Sequence, residues 1–403
     1  MNILYLTYDY PPNPQWGMGV HVEELVKHLR SRGHRVMIGG VDRYGLMGGY
    51  EEGAIFNACT KSVPDNIAEK MCTCWLKTDV HCYDTLGATV LRKMKEADFR
   101  PDLVHMHGWV MARTARAVKE ALGVPVLSTI HFLDIQYDNM KTEHPGGAWQ
   151  KSEYFLREEE MMTVSDYLLS ISEFGRKLLQ SAYPKHLHKT RIIKHGIELD
   201  RLERAQIVRP KKERPMVTFV GRVVHNEKGV EYFCEAMSHE CFRNKVDVSV
   251  IGTGTLLDEL KARYGKEIEF TGYIPRTEVK KRVLASDFMV LPSMEEHFGL
   301  VALEAMSLGA VPITSNSGAF PEFIAERENG FLFDVDSRDG KPYVDAAKLR
   351  AAVLTALAAP AELLNEMRLR NHTLVKERYS LERMAEDTFA YYLDVTNAKG
   401  SKD

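Results

Sequence analysis

Apolar runs of strand length alternate with amphipathic stretches of helix length along the chain, the pattern of parallel sheets covered by helices. It predicts strands over residues 3–7, 35–41, 103–106, 126–129, 167–171, 216–220, 246–251, 268–270, 288–291 and 311–314. Between them, Val22, Leu25, Val26 and Leu29 recur at helical spacing, with Gly33 as the stop. Further helices are predicted to begin near Gly229, Gly254 and Phe298, and the chain is helical in character beyond Tyr343. One unit, a strand followed by a glycine-containing turn and a helix, occurs over residues 3–30 and again over 216–237. That repetition predicts an α/β protein of two Rossmann-like, doubly wound domains. They are read as residues 1–198 and 199–377, with 378–403 a C-terminal helix that packs back on the first domain.

Three stretches break the rhythm. Residues 196–215 are polar, include Arg209-Pro-Lys-Lys-Glu-Arg-Pro215, and read as the linker. Residues 44–83 and 134–150 show no clear period, and each reads either as a loop shaping an acceptor site or as ordinary surface.

Bulk composition narrows the classes. At 403 residues the chain exceeds one ordinary core, and 44% hydrophobic with 27% charged residues is globular. No apolar run is long enough to span a membrane, and the first residues lack the features of a secretory signal, so a cytoplasmic protein is expected. A net charge of -3 gives no global reason to bind nucleic acid. Six cysteines without an export signal read as reduced thiols. Cys59, Cys72, Cys74 and Cys82 lie close together beside His81, but Cys72-Thr-Cys74 has one residue between its thiols where zinc knuckles have two to four. The basic stretch 176–194, with His186 and His188, reads as a phosphate or peripheral membrane-surface patch or as a solvated helix face.

Candidate chemistry concentrates after predicted strands, where open α/β sheets bind ligands. In Gly221-Arg222-Val-Val-His-Asn-Glu-Lys228-Gly229, a guanidinium and an ammonium sit at one strand-to-helix turn, a combination suited to a diphosphate. The stretch 291–309 carries Glu296 and Glu304, about 12 Å apart if both are helical, too far for a glycosidase pair. Two such acceptors can grip hydroxyls at opposite ends of a ligand while the amides near Phe298, Gly299 and Leu300 face an anion. The loop from Tyr10 to Gly19 offers Gly17 and Gly19 before a helix, although Val22 occupies the third glycine position of a dinucleotide fingerprint. His105, His107 and His131 end two strands.

Together these stretches resemble the retaining glycosyltransferases of the GT-B fold, family four in particular. The residues that carry the likeness are the Gly-x-Gly loop, Arg32-Gly-His-Arg-Val36, His105-x-His-Gly-Trp109, Thr129-Ile-His131, Ile171-Ser-Glu-Phe174, His195-Gly-Ile-Glu198, Gly221-Arg-x5-Lys-Gly229 and Glu296-x7-Glu304. The resemblance implies two domains facing across a cleft and transfer of a hexosyl group from a nucleotide diphosphate sugar; a UDP-sugar is the first expectation, with a GDP- or ADP-sugar next. It implies that Arg222 and Lys228 hold the diphosphate and that Glu304 takes the ribose hydroxyls. Glu296 and the Phe298, Gly299 and Leu300 amides would meet the sugar and phosphate. Gly17 and Gly19 would lie against the phosphate, His131 would touch the sugar, and Gly252 and Tyr273 would border the base. Departures are His195-Gly-Ile-Glu198, where many relatives have Asn-Gly-Val-Asp, and Ser317-Gly318 in place of a glycine pair. The acceptor is left open. Competing classes are an NAD-dependent oxidoreductase and a nucleotide-sugar-binding protein without turnover. No divalent metal is expected as cofactor, although Asp334-Val-Asp336 has the form of a metal-holding Asp-x-Asp.

Overall fold

The computed structural model describes residues 1–10, 17–42, 54–58, 85–133, 135, 147–200, 202, 204–225, 227–338 and 341–400. They form two units, one of residues up to 135 with 147–196 and 381–400, the other of residues 197–380.

In the first unit, seven strands make one wholly parallel sheet: β1 (Asn2–Thr7), β2 (Arg35–Asp42), β3 (Ala54–Ala58), β4 (Leu103–His107), β5 (Val126–Ile130), β6 (Tyr167–Ser170) and β7 (Thr190–Ile192), in the order β3-β2-β1-β4-β5-β6-β7. Leu4 on the interior strand β1 lies opposite Met37 of β2 and Val104 of β4. Helices α1 (Gly17–Ser31), α2 (Leu86–Glu96), α3 (Ala112–Leu122), α4 (Gly147–Val164) and α5 (Glu173–Ala182) belong to this unit. Residues 3–6 of β1 are wholly buried, which accounts for an uninterrupted apolar run where a one-sided strand would alternate. The C-terminal helix Leu381–Gly400 belongs here too, with the Tyr392 hydroxyl 2.5 Å from that of Tyr5 and 2.6 Å from His105 Nδ1. These bonds satisfy two tyrosine hydroxyls inside the core.

In the second unit, β8 (Met216–Val220), β9 (Asp247–Ile251), β10 (Glu269–Gly272), β11 (Phe288–Leu291), β12 (Val311–Ser315) and β13 (Phe331–Phe333) form a parallel sheet ordered β10-β9-β8-β11-β12-β13. The winding repeats that of the first six strands. The elements that position the site are α6 (Val230–Met237), α7 (Leu257–Tyr264), α8 (Arg276–Ala285) and α9 (Leu300–Ser307). Two longer helices follow, α10 (Ala346–Ala358) and α11 (Ala361–Arg378). Each unit thus has its own doubly wound parallel sheet, the fold class expected from the sequence.

The structure corrects several local expectations. The interval read as a linker is integral to the second unit from residue 197 on. Arg209 donates to the carbonyls of Ser286 and Leu308, Lys211 to those of Leu357 and Ala359, and Lys212 to Ala285 and to the Asp287 carboxylate. A run of cations that looked solvated serves instead to satisfy carbonyls at helix ends. The basic stretch 176–194 is similarly engaged: Lys189 donates to the carbonyls of Met162 and Ser165, and buried His186 meets Glu159. Residues 147–150, assigned to an irregular stretch, open α4.

Candidate active site

In the second unit, the strand order reverses between β8 and β11, and the loops that follow these two strands are neighbours. Gly229 closes the first loop with φ at +66°, and a Cβ placed there would lie 2.1 Å from the Pro292 carbonyl oxygen of the second. Only glycine permits that approach. The Met294 amide donates to the Glu227 carbonyl across the same seam. The result is that Lys228, last in its turn, places Nζ 2.8 Å from Glu296 Oε2. Ser293 Oγ donates to the same oxygen at 3.2 Å.

Burial alone would raise the Glu296 carboxyl, but the charge and hydrogen bond of Lys228 and the bond from Ser293 hold it below the usual carboxylate range. Glu296 is therefore an anion at neutral pH. Arg222 begins the turn and pairs with Glu227 within it. The turn thus presents two cations, each accompanied by a carboxylate that orients it.

The two glutamates do not share a helix. Glu296 precedes α9, which begins only at Leu300, so the 12 Å spacing expected for a continuous helix does not apply. Glu304 lies in the second turn of α9 and pairs with Arg276 of α8 at 3.4 Å. Phe298 is buried, its ring among Phe323 and Tyr379, so only its backbone remains to serve a ligand. Gly299 precedes the helix with φ at +97°, and the first amides of α9 have no intrahelical acceptor. Gly318 underlies the site: with φ at +62°, its missing Cβ would stand 2.1 Å from the Glu296 carbonyl oxygen. Gly252 ends β9 at φ +143°, against the Gly221 carbonyl, and Tyr273 after β10 is exposed.

His297, beside Glu296, is buried, and burial outweighs the carboxylate's pull to lower its pKa to about 4. It is neutral when folded and takes up a proton near pH 6.5 when unfolded. Between about pH 6 and 4.5 the unfolded chain therefore binds more protons, and the second unit loses roughly 1.4 kcal/mol per pH unit on acidification from this residue. Urea unfolding at pH 7.5, 6 and 5 is expected to show this slope, flattened in His297→Gln; equal slopes in both proteins would contradict it.

In the first unit, the strand ends gather histidines. His107 ends β4, and its Nδ1 lies 2.8 Å from Nε2 of His131, just past β5. His131 Nδ1 lies 3.2 Å from Nε2 of His195, which follows β7. The ring of His21 of α1 packs 4.0 Å from that of His195, tilted at 42°. Burial lowers the His21 pKa to about 3 and, with the neighbouring histidines, holds His107 well below the ordinary value. His105 packs its ring 4.2 Å from that of His107, but both its nitrogens are taken, by Thr129 and Tyr392, as in a buried structural residue. Gly19 donates its amide to Asp9 at 2.9 Å, and a Cβ there would strike the Asp9 carboxylate at 2.7 Å. That contact within the unit itself calls for glycine. Gly17 is exposed at the start of α1.

Sequence reasoning named Arg222, Lys228, Glu296, Glu304 and His131 as site residues and His195 only as a departure within a motif; it did not single out Asp9, His21, Ser293 or Arg276. His21 follows Gly19 by two residues and His195 opens the His-Gly-Ile-Glu segment, so position beside a motif was the available signal. Cys59, Cys72, Cys74, Cys82 and His81 lie outside the described residues, as do most of residues 44–83 and 134–146. Asp334 accepts from Asn316 and Asp336 from Lys348, so both carboxylates of the Asp-x-Asp already have partners.

Two protein-family profiles match in tandem, one described as Glycosyltransferase Family 4 over residues 17–201 and one as Glycosyl transferases group 1 over residues 200–348. Glycogen synthase of Mycobacterium tuberculosis is 28% identical over 409 residues, which cover 98% of this chain and 94% of that protein. Among solved structures, the catalytic domain of starch synthase IV from Arabidopsis thaliana, bound to ADP and acarbose, superposes with a TM-score of 0.69 at 16% identity, covering 98% of this chain and 99% of that one. HepE of Anabaena in complex with UDP and glucose superposes with a TM-score of 0.68 at 14% identity, covering 97% and 99%.

Proposed function

Since this chain is a glycosyltransferase of family 4 with the GT-B fold, we propose that it transfers a hexosyl group from a nucleotide diphosphate sugar to a carbohydrate or other hydroxyl acceptor, with retention at the anomeric carbon. UDP is the first choice of carrier, with GDP and ADP next; likenesses to structures holding UDP and ADP support the donor class. The observation that carries the reading is the turn after β8, where Arg222 and Lys228 stand together and Lys228 is fixed at 2.8 Å from Glu296. Two cations and the amides at the start of α9 suit a departing diphosphate.

In this reading the bond between the anomeric carbon and the phosphate oxygen breaks as the acceptor oxygen bonds to the same face of that carbon. The acceptor's proton passes to the departing phosphate oxygen. Glu296 stays ionised and orients Lys228 and the donor hydroxyls, while Glu304 takes the ribose. Gly17, Gly19 and the Phe298 to Leu300 backbone are assigned to the phosphates and sugar, Gly252 and Tyr273 to the base, and His131 to the transferred sugar. Such a step asks the protein for position and electrostatics rather than for a covalent nucleophile. Transfer is expected without a divalent metal, a reading supported by the cations already in the turn and by the partnered Asp334 and Asp336. We place the protein in the cytoplasm; the described cysteines, Cys234 and Cys241, are free thiols, and no described helix is long and apolar enough to cross a membrane.

Proton NMR of the first-formed product from an α-linked donor tests the central claim: an α-linked product is expected, and a β-linked product or a sugar trapped on Glu296 refutes it. Activity surviving a strong chelator is expected, and strict dependence on added manganese or magnesium refutes the metal-free reading. Thermal-shift screening with UDP, GDP and ADP ranks the carriers, since a ligand at a hundredfold excess over its Kd stabilises by about 2.7 kcal/mol. Stabilisation by a nucleotide sugar without product from any acceptor favours a binding protein instead.

A further inference from the structure

His21, His107 and His131 come from three separate elements, α1, the end of β4 and the segment after β5, yet one ring nitrogen from each lies within 4.8 Å of the others. One ring nitrogen in this group, His21 Nδ1, is buried without a hydrogen-bond partner, on a residue only 5% exposed. A buried ring nitrogen left unpaired is costly, and native proteins keep few of them. We infer that His21, His107 and His131 form a site for one cation of the zinc class, Zn2+, Co2+ or Ni2+.

The donor set is all imidazole, which suits borderline transition metals and gives magnesium and calcium none of the oxygen ligands they require. Nitrogens bound tetrahedrally to zinc at about 2.05 Å stand about 3.3 Å apart, so the rings must draw together by about 1.5 Å at most. His107 Nδ1 and His131 Nε2, now 2.8 Å apart, are already nearer than that and need open by only about 0.5 Å. The hydrogen bond between them is given up, and its proton moves to the other nitrogen of the same ring, so each imidazole stays neutral. His195, bonded to His131 Nδ1, orients that ring from behind in the way outer partners hold metal-binding histidines. Three protein nitrogens leave a fourth position open, the arrangement of a reactive or exchangeable site rather than a closed structural one.

The consequence for activity rests on the proposed assignment of His131 to the donor sugar: a bound metal occupies the nitrogen that assignment needs, and micromolar Zn2+ becomes an inhibitor where Mg2+ does not. The site is tested on full-length, metal-stripped protein by titration with Co2+, followed by visible absorption, and by Zn2+ competition. One equivalent with a tetrahedral-type nitrogen spectrum is expected. It should weaken by more than the 10–100-fold typical of losing an outer partner in both His107→Asn and His131→Gln, with folding checked by circular dichroism. Exposed His188→Asn should leave it unchanged. Absence of binding, or binding that survives both substitutions and is lost in Cys72→Ser/Cys74→Ser, overturns the site. Inhibition is read separately. Metal bound at the site with transfer unimpaired leaves the site standing and removes His131 from the sugar, whereas no binding removes the site and leaves that assignment untouched.

Discussion

Replacing Lys228 by alanine lowers kcat by about a hundredfold or more, with a smaller change in KM, because charge grows on the diphosphate as the glycosidic bond breaks and a fixed cation stabilises that state more than the ground state. The same substitution strands Glu296, whose carboxylate lies partly buried against the ammonium at 2.8 Å. Breaking one side of a fully buried pair costs about 3–5 kcal/mol, and this part-buried pair costs less, so a fall in activity by itself could still reflect a weakened fold. Two measurements separate the effects. Removing both charges, in Lys228→Met/Glu296→Gln, should recover much of the thermal stability and none of the rate, since the stranded anion is gone and the cation still missing.

The pH profile supplies the second. In the native site the carboxyl is held low by Lys228 and Ser293 against the upward push of burial. Its stabilising contribution is therefore present above the unfolded value near 4.3 and is lost as pH falls through the lower folded value. Without Lys228 burial dominates, and the acid limb of kcat/KM should move to higher pH. A correctly folded Lys228→Ala enzyme with unchanged kcat would falsify the assignment of this residue to the leaving group.

Gly318→Ala is the second large effect, and it acts through the backbone. At φ +62° a Cβ would lie 2.1 Å from the Glu296 carbonyl oxygen and 2.4 Å from its nitrogen, where real contacts of this kind exceed about 3.0 Å. The obstacle is a peptide group, further tied by the Ala319 amide, which donates to the same carbonyl at 2.8 Å. The strand-end peptide that carries Glu296 must shift by about 1 Å, a displacement of the order that costs a hundredfold in rate when it misplaces catalytic groups. Strain at the left-handed position adds about 1–3 kcal/mol of destabilisation. For a unit of this size that lowers the melting temperature by about 2–4 °C per kcal/mol. Differential scanning calorimetry with steady-state kinetics is expected to show both losses; wild-type kcat in Gly318→Ala means that the Glu296 backbone has no part in setting the site.

The sequence by itself settled whatever depends on neighbours along the chain. Runs such as residues 3–6 and 288–291 are apolar throughout because both faces of a parallel strand are covered, and that is visible without a structure. The turn from Gly221 to Gly229 also declared itself, since two cations between glycines after a buried strand is local information. Strands of three residues were missed at β7 and β13, because so short a run shows no period. The cations 209–214 were misread because a lysine bonded to a helix-end carbonyl looks the same in sequence as one in water.

Only the tertiary structure decided which strand ends meet. Lys228 and Glu296 are 68 residues apart and touch because β8 lies beside β11 in the sheet. His21, His107, His131 and His195 converge because the first sheet brings together the segments after β1, β4, β5 and β7. Periodicity reports which face of an element is buried, not which element will cover it; strand order is fixed by the packing of crossovers over the whole sheet, and with it the partners of every residue at the sheet's carboxyl edge.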